Sequence, residues 1–324
     1  MLVTGASGFI ASGLVDRLLS DGAVNGKRFD GLTVVDLAVP NDLADDPRVT
    51  AVSGSLTDPS VRAEALADIP DTVFHLASVP GRATADDVDL GYAVNVEATV
   101  ALLEEVARAR HDATVVFTSS IGVFGAPIPA ALDDDTYPRP TMSYGAQKLM
   151  AETAFTDMVR REVFQGQAVR LSSVLARPRS ARSAKSFASF VSDVFFAVPA
   201  GERFVFPVGP EASAWLMSRE CCVDNLLHAA TLPERTAGQP PVCTLPALRV
   251  RMDELVQALS VHYGRTDTEE LVSYEPDEHL QAQFGSFPES RAVLAESLGF
   301  RADPSVAELI ARVAVPLPTQ KERV

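Results

Sequence analysis
Through the first half of the chain, short apolar runs alternate with longer stretches whose apolar positions recur at helical spacing. The runs at 1–4, 32–35, 49–52, 72–77, 114–117 and 168–171 read as strands. Helical patterns pass through Leu14, Val15, Leu18 and Leu19, and occupy 59–67, about 92–109, and 142–161. This alternation predicts an α/β fold, a Rossmann-type doubly wound parallel sheet with helices on both faces. Ligands of such sheets sit at the carboxyl ends of the strands. Beyond about residue 173 the pattern becomes irregular. Short strands at 204–206 and 242–245 mix with helices at 219–230, 252–262 and 305–313, and prolines stand at 233, 240, 241 and 246. The expected organisation is a larger domain over 1–173 and a smaller C-terminal α+β lobe over 174–324 that partly returns to the sheet edge. The tail after Pro316 is polar and reads as frayed.

Composition narrows the classes of function. A chain of 324 residues with 47% hydrophobic content can bury a large core. A net charge of −15 argues against nucleic acid or an anionic membrane as a partner. No apolar run is long enough to span a bilayer and no leader pattern precedes the first strand, so the expected location is cytoplasmic. Cys221, Cys222 and Cys243 lack metal-ligand spacing and read as reduced thiols. His75, His111, His228, His262 and His279 are scattered, so no metal site is expected.

Two stretches carry chemistry. In Tyr144-Gly-Ala-Gln-Lys148 a tyrosine stands four residues before a lysine, so both side chains share one helical face. A phenol beside an ammonium is expected to have its charged form favoured, which brings it from about pH 10 toward use as a base. At the start, strand 1–4 runs into Gly5-Ala6-Ser7-Gly8-Phe9-Ile10-Ala11 and then a helical pattern, a dinucleotide-binding arrangement. Gly5 permits the tight turn, Gly8 lets a pyrophosphate approach the helix N-terminus, and Ala11 is small enough for close packing. The second strand ends at Asp36, placed to take ribose hydroxyls; no arginine at 37 or 38 would hold a 2′-phosphate. The implied cofactor is NAD.

These residues resemble the extended short-chain dehydrogenase/reductase family, of the NAD-dependent epimerase/dehydratase type. The matching elements are TGASGFI (4–10), Asp36, GSLTD (54–58), HLAS (75–78), Asn95, FTSSIGVFG (117–125), YGAQK (144–148) and RLSSV (170–174). Within the family, VVDL (34–37), DLGYAVN (89–95), SFASF (186–190) and AWLMS (214–218) are most similar to members that oxidise a short sugar acid. Ser172-Ser173 stands where the family pattern leads one to expect Pro-Thr, and segment 79–85 also departs from it.

The resemblance implies Tyr144 as general base, Lys148 on the nicotinamide ribose, and Ser120 on the reacting oxygen, with Ser119 as the fallback serine. It implies NAD contacts at Gly5, Ser7, Gly8, Phe9 and Ile10, at Asp36, and at Ser55 and Leu56, with Leu56, Thr57 and Asp58 bordering the adenine. Further contacts are implied at Leu76, Ala77 and Ser78 beside the nicotinamide half, and at Asn95, Thr118, Tyr144, Lys148 and Leu171; Asn95, early in its helix, is also expected to brace the active-site backbone or a water. Substrate would meet Ser78, Ser120 and Tyr144. A separate cluster without acids, Arg177, Arg179, Arg182 and Lys185, offers Arg179 and Arg182 to an anionic substrate. Trp215 suits a pocket wall or a core. The expected activity is oxidation of the C2 hydroxyl of a short sugar acid to the 2-keto acid. The alternatives are a nucleotide-sugar epimerase and a non-catalytic dinucleotide sensor. A homodimer through the helices at 92–109 and 142–161 is the family's habit.

Overall fold
The structure is a computed structural model and describes residues 1–24, 26–177, 189–233, 235–236 and 238–313. Ten strands carry the architecture: β1 (Leu2–Thr4), β2 (Leu32–Asp36), β3 (Val49–Ser53), β4 (Thr72–His75), β5 (Thr114–Ser120), β6 (Gln165–Leu171), β7 (Ser173–Leu175), β8 (Ser213–Ser218), β9 (Val242–Thr244) and β10 (Leu248–Arg251). Seven of them form one parallel sheet in the order β9-β6-β5-β4-β1-β2-β3. Chain progression reverses direction at β1, so a crevice opens at the carboxyl ends of β1 and β4, where doubly wound sheets bind ligands. The other three strands make a small second sheet in which β8 lies between parallel β7 and antiparallel β10.

The helices that concern the sheets and the site are α1 (Phe9–Asp21), α2 (Pro59–Ala65), α3 (Gly81–Asp86), α4 (Val88–Tyr92), α5 (Thr99–Ala109), α6 (Ser143–Arg160), α7 (Phe190–Ala200), α8 (Arg219–Ala229), α9 (Met252–Tyr263) and α10 (Val306–Val313). On one face of the main sheet, Leu14 and Leu18 of α1 and Leu226 of α8 pack with Val3, Val34 and Phe74. On the other, Leu102 and Val106 of α5 and Phe155 of α6 pack with Val73, Val115 and Phe117. Full burial of each such side chain contributes about 1.5–3 kcal/mol, so both sheet faces are closed by hydrophobic contact. A third cluster around Phe195, Trp215 and Leu255 forms the core of the smaller lobe. Strand β9 leaves that lobe to extend the edge of the main sheet beside β6.

The helix expected at about 92–109 begins earlier and is not uniform: α4 passes through a π-helical turn, Ala93–Ala98, into α5. Helix α7 was not expected, and neither was α3. In α7, Phe190, Val191, Val194, Phe195, Ala197 and Val198 are all buried, and a helix apolar on every side shows no amphipathic period. None of the described helices is long and apolar enough to cross a membrane. Among the described residues no cluster of His, Cys, Asp and Glu could hold a metal ion. All three cysteines are free and buried, and burial pushes the Cys221 and Cys243 thiols up to about 12.

Candidate active site
The glycine turn is built by close approach. Gly5 has φ +71, and a Cβ there would lie 2.8 Å from backbone atoms of Ala77. Only glycine lets the β1–α1 turn run against the end of β4. Gly8 caps α1 in extended conformation, leaving the first-turn N–H groups of α1 without intrahelical partners, the donors an anion needs. Asp36 at the end of β2 accepts from Ser7 N at 2.9 Å and Leu37 N at 2.7 Å, which holds its carboxylate at the mouth of the turn. Ser55 hydrogen-bonds Thr57 at 2.8 Å, and the Leu56 carbonyl accepts from Arg62, while the Leu56 side chain is buried. These residues fit a dinucleotide: a turn open to pyrophosphate, an acid for ribose, and a wall at Leu56.

The catalytic candidates meet at the carboxyl ends of β4 and β5. Ser120 closes β5, and its Oγ accepts from Gly122 N at 3.1 Å across the start of a 3₁₀ turn (Ile121–Phe124). Tyr144 opens α6, with its phenol in hydrogen-bonding reach of Ser78 and Ser120. The approach of α6 to that turn is tight: a Cβ on Gly145 would fall 2.2 Å from the Gly122 carbonyl oxygen. One turn further on, Lys148 is 2% exposed and its Nζ lies 4.8 Å from the centre of the Phe117 ring.

The electrostatics differ from the sequence expectation. Burial raises Tyr144 above its usual value of 10, opposed by hydrogen bonding to Ser78 and Ser120 and by the charge of Arg177. Lys148 is itself pushed down to about 7 by burial, against the pull of Glu152. The expected phenolate beside a full ammonium is therefore not the resting state of this site. Desolvation outweighs the pairing that helical spacing suggests. Behind Lys148 stands His75, stacked on Phe117 and held by Thr4 at 2.7 Å and Thr99 at 2.9 Å. Its burial, with Lys148 nearby, drops it to about 3, so it is neutral.

Asn95, expected to brace the active-site backbone as well as to meet the cofactor, is 1% exposed and holds that backbone from behind. Sitting in the π-helical turn, its Oδ1 accepts from Ser78 Oγ and Val79 N, and its Nδ2 donates to the Val79 carbonyl and to Gln147. Gln147, inside the Tyr–Lys motif, was missed, although its place in that motif was the available signal. Thr118 is also buried, donating to the His75 carbonyl. The fallback serine is corrected: Ser119 is 2% exposed and donates to Glu152 at 2.8 Å, facing away from Ser120's surroundings.

A cavity of about 200 Å³ adjoins Ser120 and Tyr144. It runs past Leu171, Ser172 and Ser173 to Phe190 and Phe287, with Arg82 and Thr141 on its rim. The Ser172 hydroxyl is buried without a protein partner. Trp215 lies behind this wall: 1% exposed, its Nε1 donates to the Pro288 carbonyl at 2.8 Å and its ring meets Phe287 edge-on. It belongs to the core. Arg179, Arg182 and Lys185 lie outside the described residues, whereas Arg177 is described and its charge reaches Tyr144. Leu76 and Ala77 line the end of β4, where Ala77 N donates to Thr4 Oγ1 at 3.2 Å.

A sheet with this switch point, this glycine turn and a Tyr–Lys pair beside a strand-end serine defines an NAD-dependent oxidoreductase. Residues 1–198 match the model of the NAD dependent epimerase/dehydratase family, and the chain belongs to that family. Two curated relatives span almost all of it. A D-erythronate dehydrogenase from Cupriavidus necator is 35% identical over 318 residues, covering 96% of each chain. One from Haemophilus influenzae is 31% identical over 312 residues, 96% of this chain and 97% of that one. Among solved structures, a nucleoside-diphosphate-sugar epimerase from Agrobacterium tumefaciens superposes with TM-score 0.86 at 30% identity, covering 95% of this chain and 91% of that one.

Proposed function
We propose that the protein oxidises the C2 hydroxyl of a short sugar acid, D-erythronate or a close relative, to the 2-keto acid. The observation that carries this reading is the pairing of Ser120 and Tyr144 at the mouth of a cavity of about 200 Å³. Pockets for drug-sized ligands begin at roughly 300 Å³, and the space suits a four-carbon acid. Near-complete coverage by the two D-erythronate dehydrogenases supports the same choice.

NAD, when bound, supplies the hydride acceptor. The residues of the chain then have separate tasks. Ser120 orients the carbinol oxygen, and Tyr144 takes its proton as the C2–H bond breaks with its electron pair and the carbonyl forms. Tyr144 is a weak base while burial holds it high, so positive charge must offset that burial; Arg177 already pulls in this direction. Arg177 makes no ion pair among the described residues and suits the substrate carboxylate.

The test is NADH absorbance with NAD and a panel of four- to six-carbon aldonates and uronates. NADH should form with D-erythronate, and Tyr144→Phe should cut turnover by about 10²–10⁴-fold, the usual worth of a positioned proton acceptor, while NAD still binds. No NADH from any acid would overturn the proposal. The second reading, a nucleotide-sugar epimerase, draws on the likeness to the Agrobacterium structure. It predicts interconversion of nucleotide sugars without NADH accumulating. A dehydratase is disfavoured because Ile121 and Gly122 place no acid–base pair after Ser120.

A further inference from the structure
Behind the Tyr–Lys face lies a second set of charged groups. Glu152 stands one turn after Lys148 on α6, with its side chain 5% exposed. Arg170 of β6, whose side chain is 12% exposed, grips it through Nε at 3.1 and 3.2 Å from the two carboxylate oxygens and through a second bond from its terminal nitrogen. Ser119, next to Ser120 in the chain, donates to the same carboxylate at 2.8 Å. The Arg170 guanidinium also lies 5.0 Å from the centre of the Phe124 ring, in the turn that follows Ser120. One buried carboxylate thus binds β5 and β6 to α6 and backs the turn beside Ser120. None of these groups touches the cavity.

The other surroundings of Lys148 are poor in charge. Phe117 covers its ammonium, His75 behind that ring is neutral, and Tyr144 is protonated at rest. Glu152 is the carboxylate that favours charged Lys148. Arg170 is paired to the same carboxylate. We infer that Glu152 is a positioning residue for Lys148, its carboxylate favouring the ammonium one turn before it on α6, with Arg170 setting how strongly it does so. A merely structural Glu–Arg pair would hold α6 on β6 whatever the charge on Lys148. The inferred role makes two opposite demands: removing the carboxylate must lower the lysine's pKa, and removing the guanidinium must raise it.

The experiment needs no substrate and so stands apart from the sugar-acid reading. The chain has only four lysines, Lys27, Lys148, Lys185 and Lys321, so side-chain NMR of lysine-labelled full-length protein resolves each titration. Lys148→Met assigns the signal. In Glu152→Gln the Lys148 midpoint should fall by about one pH unit, and in Arg170→Gln it should rise by a comparable amount. Glu152→Asp, which keeps the charge, should restore most of the wild-type midpoint. A Lys148 midpoint unmoved in Glu152→Gln overturns the inference. Should that variant fail to fold, an unmoved or lowered midpoint in Arg170→Gln overturns it equally. Once a substrate is in hand, the alkaline limb of kcat/KM should move in the same directions.

Discussion

Replacing Lys148 by methionine should make the protein more stable while removing its activity. In the folded chain burial holds the lysine near 7, against its ordinary value of 10.5. Each unit of difference corresponds to about 1.36 kcal/mol, so ordering a charged lysine here costs about 2–5 kcal/mol. The sign follows from proton counting. Below about pH 7 both folded and unfolded chains carry the proton, and the whole cost of the buried charge is present. Between about 7 and 10.5 the unfolded chain binds more protons than the folded one, so wild-type stability rises with pH and the cost fades. Methionine removes that cost and sets a thioether near the Phe117 ring, a favourable contact. Glu152 is not orphaned, because Arg170 and Ser119 still satisfy it. Urea unfolding at pH 6 and pH 9 measures both quantities. Lys148→Met should gain about 2–5 kcal/mol at pH 6 and clearly less at pH 9. A variant less stable than wild type at pH 6, or a gain that does not shrink with pH, would refute the reasoning.

Gly5→Ala should weaken NAD binding, because the added methyl meets Ala77 backbone at 2.8 Å and φ is +71. The left-handed conformation alone costs about 1–2 kcal/mol, so a dissociation constant raised about 5- to 30-fold is expected in a fluorescence titration. Asn95→Ala leaves the Val79 N–H and Ser78 hydroxyl without their partner. It should cost about 1–3 kcal/mol in thermal unfolding and lower kcat more than it changes NAD affinity. Trp215→Phe strands the Pro288 carbonyl and should destabilise by about 1–3 kcal/mol, with NAD binding retained because the indole lies in the core of the smaller lobe.

The sheet, its order of elements and the residues at its carboxyl edge were legible because each is local. A glycine turn between a strand and a helix, or a tyrosine four residues before a lysine, can be read without knowing what lies across the fold. What escaped depends on neighbours distant in the chain. Tyr144 is held high by enclosure, which no spacing along α6 reveals. The run at 121–125 after Ser120 favoured it over Ser119 in the sequence, but what Ser119 does instead shows only in the alternation of β5 and in Glu152 on the facing helix. Helix α7 was invisible because it is apolar on nearly all sides. The basic run singled out for substrate is only partly answered: Arg177 reaches Tyr144, and 178–188 lie outside the described residues.

Trp215 gives the molecule a built-in spectroscopic reporter. It is the one tryptophan in the chain, and its ring touches Phe287, which lines the cavity beside Tyr144. Emission excited at the red edge of the indole band therefore comes from the smaller lobe alone. Loss of that lobe's packing can be followed while the nucleotide-binding half stays optically silent, and a ligand that shifts Phe287 should register there before any product forms.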